Sequence, residues 1–304
     1  MQVGVIGLGA MGMGVALTLL KKGFAVTGCD LREEARAAFA AAGGAVVARA
    51  ADLPEALEAV VILVVNEAQE RAVLFGPEGC VPRLQKGSVV MCSATIAPAA
   101  AREIGDLLAK AGLWMLDAPV SGGAAAARGG SLTVMASGPA AAFLRAKPVL
   151  DAIAAKVWQL GETIGAGSTV KMINQLLAGL HIAVAAEALA FGIRAGADPK
   201  TLYEVISTSA GSSWMWQNRV PHILQGDDTP LSAVNIFVKD LGIVLDQARA
   251  LTFPLPLAAA AHQLFLAAAA HGEGAKDDAF VIRVWEALAG IALPGKEAGG
   301  KSET

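Results

Sequence analysis

The chain has 304 residues, of which 55% are hydrophobic and 17% charged, and its formal net charge is −3. This length is enough for a large core and points to two domains rather than one. The charge balance offers no basic field for nucleic acid, and no uncharged apolar run approaches the ~18–20 residues of a membrane span, so neither nucleic acid nor a membrane is an expected partner.

In chain order, the apolar run 3–6 predicts a strand, followed by a glycine turn and a helix over about 11–22 that Gly23 ends. This apolar N-terminus lacks a basic leader and carries glycines instead, which argues against a signal peptide. Residues 24–29 read as a second strand that stops at Asp30, and 46–48 as a third. Asp52-Leu53-Pro54-Glu55 has cap chemistry and predicts a short helix. The continuous apolar runs 60–65 and 88–92 fit strands buried on both faces of a parallel sheet. Pro98 opens a helix to about 111, and strands follow over 113–117, 132–136 and 156–160. Strand alternating with helix predicts an α/β fold built on a Rossmann-type doubly wound parallel sheet.

Beyond Gly161 the strand signals stop. Residues 164–195 read as one helix of about thirty residues, against a typical ~11. Gly196 ends it, and Asp198 caps the next helix with Pro199 in its first turn. Further helices are expected over about 199–208, 212–224, 234–251, 256–270 and 278–289. The expected organisation is a nucleotide-binding domain over 1–162 and an all-α C-terminal domain over 163–293, joined by the long interdomain helix. A polar, glycine-rich tail over 294–304 is expected to be disordered. Much of the apolar excess is alanine, which favours helix; the surplus must be buried somewhere, so a homodimer or homotetramer is expected. Cys29, Cys80 and Cys92 lack metal-ligand spacing, so no metal site is expected, and an odd, sparse set fits reduced thiols in a cytoplasm.

Gly7-Leu8-Gly9-Ala10-Met11-Gly12 fits G-x-G-x-x-G, directly after a strand and opening a helix. The first glycine permits a tight turn, the second lets the backbone approach a pyrophosphate, and the third lets helix and strand pack closely. The helix N-terminus then offers N–H groups to the phosphates. Alone, such glycines can equally shape a turn. Asp30 strengthens the nucleotide reading, because it ends the second strand 18 residues after Gly12. A carboxylate there accepts hydrogen bonds from the adenosine ribose and repels a 2′-phosphate, so NAD is expected over NADP. Arg32 is a contrary signal, since a nearby arginine can accommodate that phosphate.

Asp117-Ala118-Pro119-Val120-Ser121-Gly122-Gly123 follows another strand. The Ser121 hydroxyl and the consecutive N–H groups of Gly122 and Gly123 fit an anion nest for a substrate carboxylate; an ordinary loop is the competing reading. Gly165-Ala166-Gly167 opens the long helix, where Lys171, Asn174 and Gln175 share a face among apolar residues. Lys171 is either a chemical group or a lysine snorkelling to solvent.

In this order the motifs resemble those of the β-hydroxyacid dehydrogenase family, which includes 3-hydroxyisobutyrate dehydrogenase and tartronate semialdehyde reductase. Residues 7–12 match its cofactor fingerprint, 117–123 its substrate motif, 165–174 its catalytic motif, and Lys239-Asp240-Leu241 a late cofactor motif. Within the family, residues 174–181, 212–221 and 232–242 are similar to the L-threonate dehydrogenases. The resemblance implies NAD-dependent oxidation of a small hydroxy acid, with Lys171 as general acid/base and Asn174 as a substrate contact. It implies that Ser121, Gly122 and Gly123 hold the carboxylate. It also implies that Val64, Val65 and Thr95 line the cofactor site with residues 7–12 and Asp30, and that Lys239 reaches the cofactor from the helical domain. L-threonate is the expected substrate, with 3-hydroxyisobutyrate and tartronate semialdehyde as alternatives. Three positions depart from the family: Val65 replaces the usual proline after the fourth strand, Gln69 replaces a common asparagine, and Cys92 stands where an acid is often found.

Oxidising an alcohol needs a base for the hydroxyl proton and an acceptor for the hydride. An ordinary lysine, with pKa about 10.4, is a poor base near neutral pH. Desolvation in an apolar cleft lowers that toward ~7–8 and makes the amine useful in both directions. Imine reductases of this architecture, and inert binding modules of the same fold, would lack the lysine; its presence argues against both.

Overall fold

Six parallel strands form the central sheet: β1 (Gln2–Ile6), β2 (Ala25–Cys29), β3 (Ala45–Val47), β4 (Ala59–Ile62), β5 (Val89–Cys92) and β6 (Trp114–Asp117). Their order is β3-β2-β1-β4-β5-β6. In this computed structural model, which describes residues 1–294, β4 and β5 are buried at every position, as continuous apolar runs require of a doubly covered strand. The helices α1 (Ala10–Lys21), α2 (Glu33–Ala41), α3 (Glu67–Phe75) and α4 (Pro98–Lys110) connect the strands. Chain order reverses between β1 and β4, whose last residues Ile6 and Ile62 are paired. Such a switch point opens a crevice at the carboxyl ends of the strands.

The strands expected over 132–136 and 156–160 form, but outside that sheet. After β7 (Val120–Ser121) and α5 (Gly123–Gly129) comes β8 (Leu132–Ala136), then α6 (Ala140–Ile153) and β9 (Ala154–Gln159). β8 pairs antiparallel with β7 and parallel with β9 in a separate three-stranded sheet. A bridge between Asp117 and Ser137 ties the two sheets together. The helix expected at 52–55 is absent, and only a 3-10 turn at Ala50–Asp52 forms. Leu53 precedes Pro54, whose ring disfavours the α region for its neighbour; Leu53 is extended (φ −61°, ψ 145°) and buried.

The long helix α7 (Ala166–Arg194) has 29 residues. Its length and composition would suffice to cross a membrane, yet Ile182, Ala183, Ala186, Leu189 and Ala190 pack it into a helical core. α8 (Pro199–Ser207), α9 (Trp214–Gln225), α10 (Val234–Ala250), α11 (Pro256–Ala268) and α12 (Arg283–Ala289) follow. Asp198 and Ser213 cap α8 and α9 by accepting the N–H groups of Thr201 and Trp216. The stretch expected to be helical from 278 starts as a 3-10 turn, Asp278–Ile282, and becomes α at Arg283. The chain divides into two compact units, Met1–Met172 and Ile173–Thr304, with the division inside α7. The tail expected over 294–304 lies outside the described residues apart from Pro294.

Candidate active site

The β1/β4 switch point forms a groove of about 880 Å³ whose lining includes Gly7, Gly9, Asp30, Arg32, Val64 and Val65. A Cβ on Gly12 would lie 1.7 Å from the Gly7 carbonyl oxygen, so only glycine lets α1 begin so close to the end of β1. Gly9 caps α1 without a side chain, and by helix geometry the first N–H groups, those of Ala10, Met11 and Gly12, have no intrahelical acceptor. The Leu8 N–H donates to Asp30 Oδ2 at 2.8 Å, which joins the fingerprint loop to the end of β2. A glycine cradle, first-turn N–H groups without an intrahelical acceptor and a carboxylate across the groove fit the pyrophosphate and ribose of NAD.

Arg32 is engaged on Asp30. Its backbone N–H and Nε donate to Oδ1 at 2.9 and 3.1 Å, and its Nη2 donates to Oδ2 at 3.0 Å. Burial works to raise the Asp30 pKa, but these donors and the Leu8 N–H outweigh it and hold the carboxyl below its ordinary range.

Two of the departures from the family pattern compensate each other. A proline at position 65 would have no N–H to satisfy; Val65 has one, and it donates to Gln69 Oε1 at 2.9 Å. The Gln69 N–H in turn donates to Asn66 Oδ1 at 2.9 Å, the cap of α3. At the third departure, the strand carries a thiol but α3 supplies a carboxyl. Glu70 is fully buried with the Cys92 thiol beside it, and neither of its oxygens meets a donor of normal hydrogen-bond geometry. Burial pushes its pKa up to about 7 against the opposing thiol contact. The three thiols are all buried, and burial pushes Cys29 and Cys80 up to about 12. Thr95 is half-buried between β5 and α4, outside the groove's lining.

Asp117 organises the start of α7. The Ser168 hydroxyl donates to its Oδ1 at 2.7 Å. Its Oδ2 accepts the N–H groups of Gly165 at 2.9 Å and Ser168 at 2.8 Å. Ser137 adds a hydroxyl at 3.3 Å and accepts the Gly167 N–H at 3.0 Å. Burial raises the Asp117 pKa, although the Ser168, Gly165 and Ser137 donors oppose it. A Cβ on Gly167 would sit 2.5 Å from both the Asp117 and Met135 carbonyl oxygens, so the helix start presses directly on β6 and β8. Lys171 follows Ser168 by three residues, one helical turn, and is buried with 8% exposure.

Ser121 is half-buried, and Gly122 and Gly123 are exposed. Both glycines have φ values, +124° and +72°, that L side chains rarely adopt. α5 follows directly and packs on α1: the Thr18 hydroxyl donates to the Ala127 carbonyl at 2.8 Å, and Gly14 lies against Ala127. The loop 117–123 is thus fixed at one end to the start of α7, through Asp117, and at the other, through α5, to α1.

In the second unit, Asn174 Nδ2 donates to Gln175 Oε1 at 3.0 Å, and Gln175 Nε2 donates to Asp240 Oδ2 at 2.5 Å. Lys239 Nζ lies 2.7 Å from Asp240 Oδ1 as an ion pair. Residue-type motifs could not reveal this chain, because Gln175 and Asp240 are 65 residues apart.

Comparison with known proteins agrees with this geometry. Residues 2–161 match the family described as the NAD binding domain of 6-phosphogluconate dehydrogenase. Residues 165–285 match the family described as the NAD-binding domain of NADP-dependent 3-hydroxyisobutyrate dehydrogenase. The chain is 58% identical to an L-threonate dehydrogenase of Cupriavidus necator, over 97% of this chain and 98% of the relative. The chain belongs to the β-hydroxyacid dehydrogenase family. Its members are oxidoreductases that use NAD or NADP, and the α/β sheet followed by helices is the family's fold. The Escherichia coli K12 L-threonate dehydrogenase is 51% identical over 98% of both chains. A Salmonella typhimurium crystal structure described as 3-hydroxyisobutyrate dehydrogenase superposes with a TM-score of 0.89 at 52% identity, covering 93% of this chain and 99% of that one.

Proposed function

We propose that this enzyme oxidises L-threonate at C2, with NAD as acceptor and Lys171 as general acid/base. The observation that carries this reading is the clamp of Asp117 on Gly165 and Ser168. It sets the buried Lys171 one turn beyond a point shared with the substrate motif. Bound NAD supplies the hydride acceptor. The remaining work belongs to the chain: residues 7–12 hold the pyrophosphate, Asp30 the ribose, Val64, Val65 and Thr95 flank the nicotinamide half, and Lys239 steadies it. Ser121 and the N–H groups of Gly122 and Gly123 take the substrate carboxylate, and Asn174 takes a substrate oxygen. Neutral Lys171 accepts the hydroxyl proton at Nζ as the hydride leaves C2. Residues 1–162 act as the cofactor domain and 163–293 as the helical domain.

L-threonate is chosen on the likeness to the Cupriavidus and Escherichia relatives. A second reading, 3-hydroxyisobutyrate, is favoured by the description of the Salmonella structure. The test is NAD and NADP reduction across the threonate stereoisomers, erythronate, 3-hydroxyisobutyrate and D-glycerate. L-threonate with NAD is expected to give the highest kcat/KM; a clear preference for 3-hydroxyisobutyrate would overturn the choice. The enzyme works as a homodimer or homotetramer in the cytoplasm. α7 supports the first statement by exposing Val170, Ile173, Leu177, Val184 and Phe191 along its length, and three buried thiols support the second.

A further inference from the structure

The chain Asn174–Gln175–Asp240–Lys239 has a direction, and the direction has a chemical consequence. A carboxylate only accepts hydrogen bonds. Asp240 is buried with 1% exposure, and Lys239 is held at its Oδ1. Its Oδ2 can therefore meet only a donor, and that donor is Gln175 Nε2 at 2.5 Å. With its nitrogen committed to Asp240, Gln175 turns its oxygen to Asn174, which answers with Nδ2 at 3.0 Å. Asn174 has one carbonyl oxygen and two N–H donors. One N–H is used on Gln175, so the residue presents its Oδ1 together with one N–H.

We propose that Asp240 and Gln175 are positioning residues that fix the polarity of Asn174 and so select acids with hydroxyls on neighbouring carbons. This rests on the reading above that Asn174 contacts the substrate. The free N–H donates to the oxygen of the reacting hydroxyl, whose own proton goes to Lys171. The Oδ1 accepts from the hydroxyl on the next carbon. A monohydroxy acid satisfies the N–H and leaves the Oδ1 without its donor. A 2,3-dihydroxy acid satisfies both. Nothing covalent changes along the chain; it acts only by orientation.

The isosteric substitution Asp240→Asn reverses that orientation. Lys239 keeps an oxygen facing it, so the new amide nitrogen falls where Oδ2 was and donates to Gln175 Oε1. Gln175 Nε2 then turns to Asn174 and occupies its Oδ1, which leaves only donors for the substrate. The experiment compares kcat/KM at saturating NAD for L-threonate and for the 2-hydroxybutyrate of matching C2 configuration, in the full chain and in Asp240→Asn, Gln175→Met and Asn174→Ala. For an acid that is bound without turnover, its Ki against L-threonate supplies the same comparison.

The expected result for Asp240→Asn is a fall of about fivefold in the preference for L-threonate, the size of one neutral hydrogen bond. The loss should be carried by KM for L-threonate, with 2-hydroxybutyrate changed by less than about twofold. Gln175→Met, which breaks the chain without a polar replacement, should lower the same ratio even if the asparagine variant folds poorly. An equal fall for both acids would mean that the network is only structural, and an unchanged ratio would mean that it sets nothing; either overturns the proposal. Asn174→Ala separates the two levels. If it lowers the ratio while the Asp240 and Gln175 variants do not, the polarity proposal fails alone. If Asn174→Ala changes neither acid, the substrate role of Asn174 fails with it.

Discussion

Glu70, fully buried beside the Cys92 thiol, keeps its proton at pH values where a free glutamate ionises. Its folded pKa of about 7 lies above the ordinary 4.5, so between those values the folded state binds a proton that the unfolded state has released. The stability contributed by this group therefore falls as pH rises through that window, and above pH 7 the full cost is present. Glu70→Gln removes the titration, and in urea unfolding it should stabilise the protein at pH 8 by roughly 3 kcal/mol. The gain should vanish toward pH 4.5; an equal gain at both pH values would show that the carboxyl does not titrate with folding. At Asp30, the Arg32 guanidinium sits on both carboxylate oxygens. Asp30→Ala should lower kcat/KM for NAD about tenfold, one charge-assisted hydrogen bond to the ribose, and raise NADP use by freeing Arg32. Adding Arg32→Ala should abolish the NADP gain, and a gain that survives would rule Arg32 out as the phosphate partner. The sequence marked Asp30 because an acid at the end of the second strand stands at a fixed offset along one βαβ unit, and the structure sets that carboxylate against the Leu8 N–H of the glycine loop. It did not mark Asp117 as a helix anchor, because the Gly165 and Ser168 donors lie 48 and 51 residues away.

The start of α7 carries Lys171, the base of the proposed reaction. Gly167→Ala would push a Cβ into two backbone carbonyls, and neither can rotate away as a side chain could. The helix start must shift instead. We expect a loss of more than about 2 kcal/mol in unfolding free energy, as for other overpacked cores, and a kcat decrease with little change in NAD affinity. A variant of wild-type stability with unaltered kcat would show that the contact between α7, β6 and β8 does not place Lys171. The long helix itself was legible from its uninterrupted apolar pattern and from the Gly196 and Pro199 punctuation. The helix expected at 52–55 was not, since Pro54 disfavours the α region at Leu53, which is extended and buried.

For the whole molecule, the alternation of strands and helices followed by helices alone carried the fold class. Which strands share a sheet was not readable: β8 is as apolar and buried as the central strands and differs only in its partners, and β9, with Lys156 and Gln159 and no buried position, follows it into the smaller sheet. The family's motif order suggested which residues to look at for the site, whereas the pairing of Val65 with Gln69 emerged only from the hydrogen bond between them. The exposed apolar side chains along α7, Phe191 at 74% among them, are expected to be covered by a second copy. Val184→Glu combined with Phe191→Glu should shift the sedimentation coefficient to that of a monomer; an oligomer that persists would place its interface elsewhere.

If Lys171 moves the hydroxyl proton, stopped-flow NADH formation in Lys171→Ala at saturating NAD and L-threonate must show it. The expected result is hydride transfer slowed by about 10²–10⁴-fold, the usual contribution of a general base, with the NAD Kd unchanged. Full turnover in a variant that binds NAD normally would contradict it.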